Sequence, residues 1–162
     1  MDYIYGHDEI VGRFVMSLIP AYRGVDIVPP MSQTIGIIDD SGRLVAGFLY
    51  NNYDRYAGVI EITTAALPGC RWLSRETIRR LYQYPFLQLG CQMVVGRVAA
   101  DNEQLLRQMA ALNYTFIRIP RLLGPDRDAV LCLLTREAWE NNKFNRRLRH
   151  HIVDEPRQEE AA

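Results

Sequence analysis

Residues 92–114 read QMVVGRVAADNEQLLRQMAALNY, and the order of signals in that stretch decides the fold. Residues 93–98 are rich in β-branched side chains and predict a strand. Asp101 or Asn102 then supplies an N-cap acceptor, and Leu105, Leu106, Met109 and Leu112 recur at helical spacing. Asn113 tolerates the left-handed backbone that closes a helix. A strand that passes through Asp-Asn into a short amphipathic helix narrows the fold more than any single residue does.

Working outward, Val11, Phe14, Val15, Leu18 and Ile19 trace one face of a helix that Asp8 caps and Pro20 closes. A hairpin follows: residues 34–38, a turn at 39–42, and residues 43–50, with a third antiparallel strand at 57–66 after Asn51-Asn52. Pro68-Gly69 breaks the chain. Residues 74–84 read as a helix with Ile78, Leu81 and Tyr82 inward, which Pro85 kinks or ends. Beyond the central stretch, strands are expected at 115–119 and 129–135 around a Gly124-Pro125-Asp126 turn. The predicted order is αβββαβαββ, a mixed α/β (α+β) domain.

A chain of 162 residues, 48% of them apolar, suits one core of ordinary size. The expectation is a single domain over 1–144. A charged tail over 145–162 follows, in which a basic run, 145–151, precedes Asp154, Glu155, Glu159 and Glu160; terminal charge runs of this kind are commonly solvated. No apolar run reaches the ~18 residues of a membrane span. The start of the chain is acidic and aromatic where a secretion signal would be basic, so the protein is expected in the cytoplasm and away from membranes. Nineteen basic residues balance nineteen acidic ones, which argues against generic nucleic-acid binding. Cys70, Cys91 and Cys132 are far apart and lack His at metal-ligand spacing, so neither disulfides nor a metal site are expected.

The strand, Asp101-Asn102, helix and closing Leu112-Asn113-Tyr114 resemble the late motif of the GNAT N-acyltransferase superfamily, where the helix ends in Leu-Gly-Phe or Leu-Gly-Tyr. The whole predicted order, over residues 4–140, is similar to the GNAT fold. Segments 42–47 (GRLVAG) and 84–91 (YPFLQLGC) further resemble small GNAT-like proteins of bacteriophages and prophages. For such a relative the cytoplasm would be that of the bacterial host.

The resemblance implies an acyltransferase that uses acetyl-coenzyme A and acts on a primary amine of a small molecule or protein, with a homodimer allowed. It implies that the parallel strands 57–66 and 92–98 splay apart, that the first binds the pantetheine arm, and that the next helix start faces the pyrophosphate. A helix N-terminus favours an anion on electrostatic grounds. The cofactor residues carried over are Ala65, Ala66, Leu67, Gly69, Arg71, Trp72, Leu73, Ser74 and Asn102. This loop departs from the family's glycine-rich pattern: one glycine remains, and Pro68 removes an N–H donor. Arg71 offers a charge-assisted phosphate contact in compensation.

Glu61 is the candidate base, a carboxylate interrupting an apolar and threonine-rich strand, where burial is costly unless the group is paired or used. The family's acid is a tyrosine one turn before the helix end, and Met109 stands there; Tyr114 is the nearest alternative. Tyr50, Asn52, Tyr53 and Arg55 sit in an aromatic and amide-rich segment, 50–56, that would border the acceptor. Tyr22, Arg23, Gly24, Pro29 and Pro30 would form a second wall. Aromatics with amides also suit a flat base, which leaves open a Mom-like enzyme that modifies phage DNA. A phage-associated binding or structural protein that retains the fold without catalysis is the other alternative.

Overall fold

The computed structural model describes residues 1–22, 24 and 26–145. Strands β1 (Asp2–Tyr5), β2 (Gln33–Ile38), β3 (Leu44–Asp54), β4 (Val59–Ala66), β5 (Met93–Ala99), β6 (Thr115–Ile119) and β7 (Ala129–Thr135) form one sheet in the order β1-β2-β3-β4-β5-β7-β6. All neighbours are antiparallel except β4 and β5, which run parallel. Helices α1 (Asp8–Leu18), α2 (Arg75–Gln83), α3 (Glu103–Ala111) and α4 (Arg136–Glu140) flank it.

Helix α1 lies over β2, β3 and β4 on one face of the sheet, burying Val11, Val15 and Met16 against Leu49. Close approach requires small residues beneath it. A Cβ at Gly47 would stand 2.7 Å from Val15 Cγ2, and one at Gly36 would stand 2.9 Å from Val11 Cγ2. On the opposite face, Ile78, Leu81, Tyr82 and Phe86 join Met109 and Leu112 over Phe48, Ile60, Ile62, Val94 and Leu134 in the main core.

The predicted elements over 93–135 are present: Asn102 accepts the Leu105 N–H at 3.2 Å to cap α3, and Asn113 closes it at φ +68°. Five expectations change. Strand β1 is added at the N-terminus, pairing Tyr3 with Ile37, so the order opens with a strand. Asp8 does not cap α1; its carboxylate accepts from the Thr34 N–H (2.7 Å) and hydroxyl (2.9 Å), tying the helix start to β2. Strand β3 runs on to Asp54 through a register shift after Asn51, with Asn52 at φ +50°, so much of segment 50–56 is strand. Past α2 the chain widens into a π-turn at Tyr84–Gln88 with Pro85 inside it, and Leu89 donates to the Tyr84 carbonyl at 3.0 Å. Pro85 offers no N–H to the Leu81 carbonyl one turn earlier, and that carbonyl accepts from the Tyr50 hydroxyl at 2.7 Å instead.

The fifth is α4, capped by Thr135, which carries Trp139 into the core to stack on Phe86 at 5.1 Å. Asn145 Nδ2 donates to the Trp139 carbonyl at 2.6 Å, tying the end of the described chain to α4. The basic and acidic tail from residue 146 onward lies outside the described residues. Cys91 and Cys132 are buried and Cys70 half-buried, all three as free thiols; burial pushes the Cys132 thiol up to about 11.

Candidate active site where two strands part

Strands β4 and β5 pair for three rungs, Val59 with Met93, Ile60 with Val94 and Glu61 with Val95. Beyond them β4 continues along β3 to Ala66 and β5 along β7 to Ala99. From Ile62 and Gly96 onward, the edges these strands turn toward each other have no partner strand. Backbone polar groups demand partners, so such a fork suits an extended ligand that supplies amide donors and acceptors, as an added strand does. Gly96 stands at the fork. A Cβ there would lie 3.3 Å from Met109 Cε and 3.8 Å from the Ile62 carbonyl oxygen, narrowing the opening from the α3 side.

Strand β4 leads into α2 through a tight Pro-Gly turn. Cys70 donates its N–H to the Leu67 carbonyl at 3.4 Å around Pro68-Gly69, with Gly69 at φ +76°, the left-handed backbone this turn requires. Trp72 is turned inward, its ring 5.6 Å from that of Phe48, so its bulk does not stand before the helix start. Ser74 caps α2 by accepting the Thr77 N–H at 3.0 Å. Thr77 Oγ1 donates to the Trp72 carbonyl (2.8 Å) and also meets the hydroxyls of Ser74 (2.9 Å) and Tyr3 (2.8 Å), which pins the loop to the helix and to β1. The N–H groups of Arg75 and Glu76 have no carbonyl to meet within the helix. The Glu76 carboxylate is drawn away from them by hydrogen bonds from Arg79 and Arg80, which hold it below its ordinary range, Arg79 first. Arg71, Leu73 and Arg75 are exposed around this start. Ser74→Ala is expected to cost about 1 kcal/mol of stability in urea denaturation, the ordinary worth of a helix cap; an unchanged midpoint would show the cap to be idle.

Glu61 sits on the last rung of the fork, on the face that carries α1, since its pairing with Asn51 and Val95 sets it beside Leu49's side of the sheet. Its carboxylate lies 3.9 Å from the Arg97 guanidinium, and the two side chains are 38% and 47% exposed. Arg97 is missing from the residues singled out in the sequence. The signal for it was the alternation of β5, which sets Arg97 on the face of Met93 and Val95, but only the three-rung register brings it to Glu61.

Other expected residues are dispersed. Tyr114 is buried in the main core, and its hydroxyl shares a 2.8 Å hydrogen bond with Tyr82. Burial pushes both phenols above their ordinary value. Tyr50 is 1% exposed, donates to the Leu81 carbonyl at 2.7 Å beneath α2, and borders a cavity with Gln33, Arg80 and Gln83. Asn52, Tyr53 and Arg55 do reach solvent at the end of β3, with Tyr53 donating to the Leu89 carbonyl at 3.3 Å. An aromatic platform for a flat base therefore loses Tyr50. Tyr22, Gly24, Pro29 and Pro30 lie in the turns that follow α1, while Arg23 falls outside the described residues. Asn102 is exposed at the start of α3, with its oxygen engaged in the cap, and Ala65 and Ala66 end β4 half-buried. Among the described residues no helix is long and apolar enough to cross a membrane, and no three His, Cys, Asp or Glu side chains gather as a metal site would need.

No protein-family model matches the sequence, and no curated protein does. Solved structures do. A point variant of spermidine N-acetyltransferase SpeG from Vibrio cholerae superposes with a TM-score of 0.60 over 69% of this chain and 70% of the other, at 14% identity. A dodecameric structure of spermidine N-acetyltransferase from the same organism gives 0.59 over 69% of each chain at 14% identity. A protein described as a probable acetyltransferase gives 0.58 over 67% of this chain and 64% of the other at 20% identity. The fold is the GNAT fold. Its hallmark here is the parallel β4–β5 pair that opens into a fork with a helix start at the far end of β4.

Proposed function

We propose that this protein is an N-acyltransferase that takes the acetyl group of acetyl-coenzyme A to a primary amine. One observation supports this reading above the rest: a fork between parallel strands with a carboxylate, Glu61, on its last rung and the capped start of α2 at the end of the same strand.

The residues fit such a cofactor. The unpartnered edge of β4 through Ala65 and Ala66 would hold the pantetheine amides. The backbone of Leu67, Gly69, Trp72 and Leu73, with the helix start at Ser74 and the Arg71 guanidinium, would hold the pyrophosphate. Asn102, already a cap, would face the same groove from α3. Gly96 keeps the fork open. When bound, the cofactor supplies a thioester, an acetyl group activated toward amines.

The chain's own task is to deliver a neutral amine. Glu61 accepts the proton of the incoming ammonium, directly or through a water. The freed nitrogen would then attack the thioester carbon, forming the N–C bond as the C–S bond breaks, with its second proton passing to solvent and the departing thiolate taking one up from solvent. Solvent is the source because Met109 occupies the helix position where the family has its tyrosine. Leu131 and Leu133, half-buried on the Glu61 face, supply an apolar floor beside the reacting groups.

Acetyl-coenzyme A is expected to raise Tm. At about 100 times Kd a ligand of the folded state adds ~2.7 kcal/mol, worth roughly 5 to 10 °C for a chain of this size. Arg71→Ala should weaken the binding. No shift and no heat in calorimetry at several temperatures would sink the acyltransferase reading, and unchanged affinity in the variant would remove Arg71 from the phosphate site.

A further inference from the structure

Strand register sets Glu61, Thr63 and Ala65 of β4 on one face with Met93, Val95 and Arg97 of β5, Leu131 and Leu133 of β7, and Thr115 and Ile117 of β6. Two of these carry charge, Glu61 and Arg97. They face each other across the opening of the fork at 3.9 Å, at the outer limit of an ion pair, each more than a third exposed. Neither side chain makes a hydrogen bond to another described residue. An exposed pair of this kind contributes little to stability, so little is lost when a ligand enters between the two groups. Arg97 retains the planar fork of N–H donors that matches a carboxylate or phosphate two bonds at a time.

We infer that the acceptor amine carries a negatively charged group of its own, a carboxylate or a phosphate, which Arg97 binds while Glu61 takes the ammonium. The inference rests on the acyltransferase reading and names its substrate class. The charges decide it. A polyamine presents several ammonium groups and needs several carboxylates, whereas this face offers one carboxylate already matched by one guanidinium. An additional ammonium next to Arg97 is repelled. A zwitterionic amine, in contrast, meets an opposite charge at each end, and its length runs across the fork toward the apolar floor of Val95 and Leu131. Spermidine, the substrate in the names of two structural neighbours, does not meet this pattern.

The test measures thiol release from acetyl-coenzyme A with L-amino acids and their carboxamides, O-phosphoethanolamine and ethanolamine, and spermidine. The wild type should prefer an anionic amine over its neutral counterpart by at least about 10-fold in kcat/KM, the scale of a charge-assisted contact. Which anionic pair shows the preference separates carboxylate from phosphate. Arg97→Gln should raise KM for that acceptor by about 10- to 100-fold with kcat within a few-fold, and so erase most of the preference over the neutral amine. Arg97→Glu should reverse the ranking toward spermidine. Calorimetric titration with the anionic amine alone should show binding to the wild type and none to Arg97→Gln, while the two keep the same Tm. Spermidine as the best wild-type acceptor, or an acceptor ranking that Arg97→Gln leaves in place, overturns the inference. Acetyl-coenzyme A binding without transfer to any anionic amine also overturns it while the cofactor reading stands. Absence of cofactor binding overturns both.

Discussion

Glu61→Gln lowers turnover by at least about 100-fold and leaves acetyl-coenzyme A affinity unchanged. The substitution keeps the length and hydrogen-bonding reach of the side chain and removes only its power to accept a proton. Amines enter as ammonium ions near neutral pH, so a step that needs the neutral nitrogen slows by the fraction that must lose its proton to solvent. The position makes the effect specific: Glu61 ends the parallel pairing on its last rung, half-exposed, away from the groups proposed to hold the cofactor. The check is kcat in steady state together with calorimetric affinity for the cofactor. Full turnover in the variant would exclude Glu61 as the base, whatever the acceptor. A raised KM with kcat intact would make it a binding group instead.

Phe86→Ala is expected to remove about 3–5 kcal/mol of stability, the range for a fully buried aromatic. Phe86 is 0% exposed at the π-turn, with Tyr82 stacked on one side at 6.1 Å and Trp139 on the other at 5.1 Å. It is one of the contacts through which α4 joins the main core, beside Ala138. Its loss leaves a cavity and also frees Trp139, whose buried indole N–H has no partner among the described residues. Measured against an ordinary total of about 5–15 kcal/mol, this is enough to bring many domains near unfolding at 37 °C. Urea denaturation of the variant reads it directly. A loss below ~1.5 kcal/mol would show that the region collapses to fill the space.

Local chemistry explains which parts of this protein were legible in its sequence. The β5–α3–β6 region follows from signals within a few residues of one another: β-branched runs, the Asn102 cap and the left-handed Asn113. Strands β6 and β7 fall where alternation and the Gly124-Pro125 turn predict them. What escaped depends on distant partners. Strand β1 is four residues long and exists because β2 offers it an edge; helix α4 is five residues long and is held by Trp139 reaching Phe86. Asp8 looks like a cap in the sequence and is claimed by Thr34, twenty-six positions away.

The candidate site divides in the same way. Glu61 was identified because a carboxylate in an apolar strand is costly, a property of its own neighbourhood. Tyr50 and Tyr114 carried the right functional groups, and the fold turned both inward, since strand alternation alone cannot say which face a sheet will bury. Arg97 is not legible as a site residue because its meaning comes from Glu61, thirty-six residues earlier, and from a register that only the assembled sheet defines.

The two tryptophans sit one at each place where the molecule can be watched. Trp72 lies in the loop before α2, half-buried against Phe48, and Trp139 lies in the core on Phe86. Intrinsic fluorescence is therefore a two-channel signal written into the chain. In a Trp139→Phe background the remaining indole reports on the loop, so a ligand arriving at the start of α2 alters its emission at concentrations where the rest of the domain gives no optical change. In a Trp72→Phe background the emission of Trp139 follows the anchoring of the last described helix, and quenching by iodide reads out how often that anchor lifts.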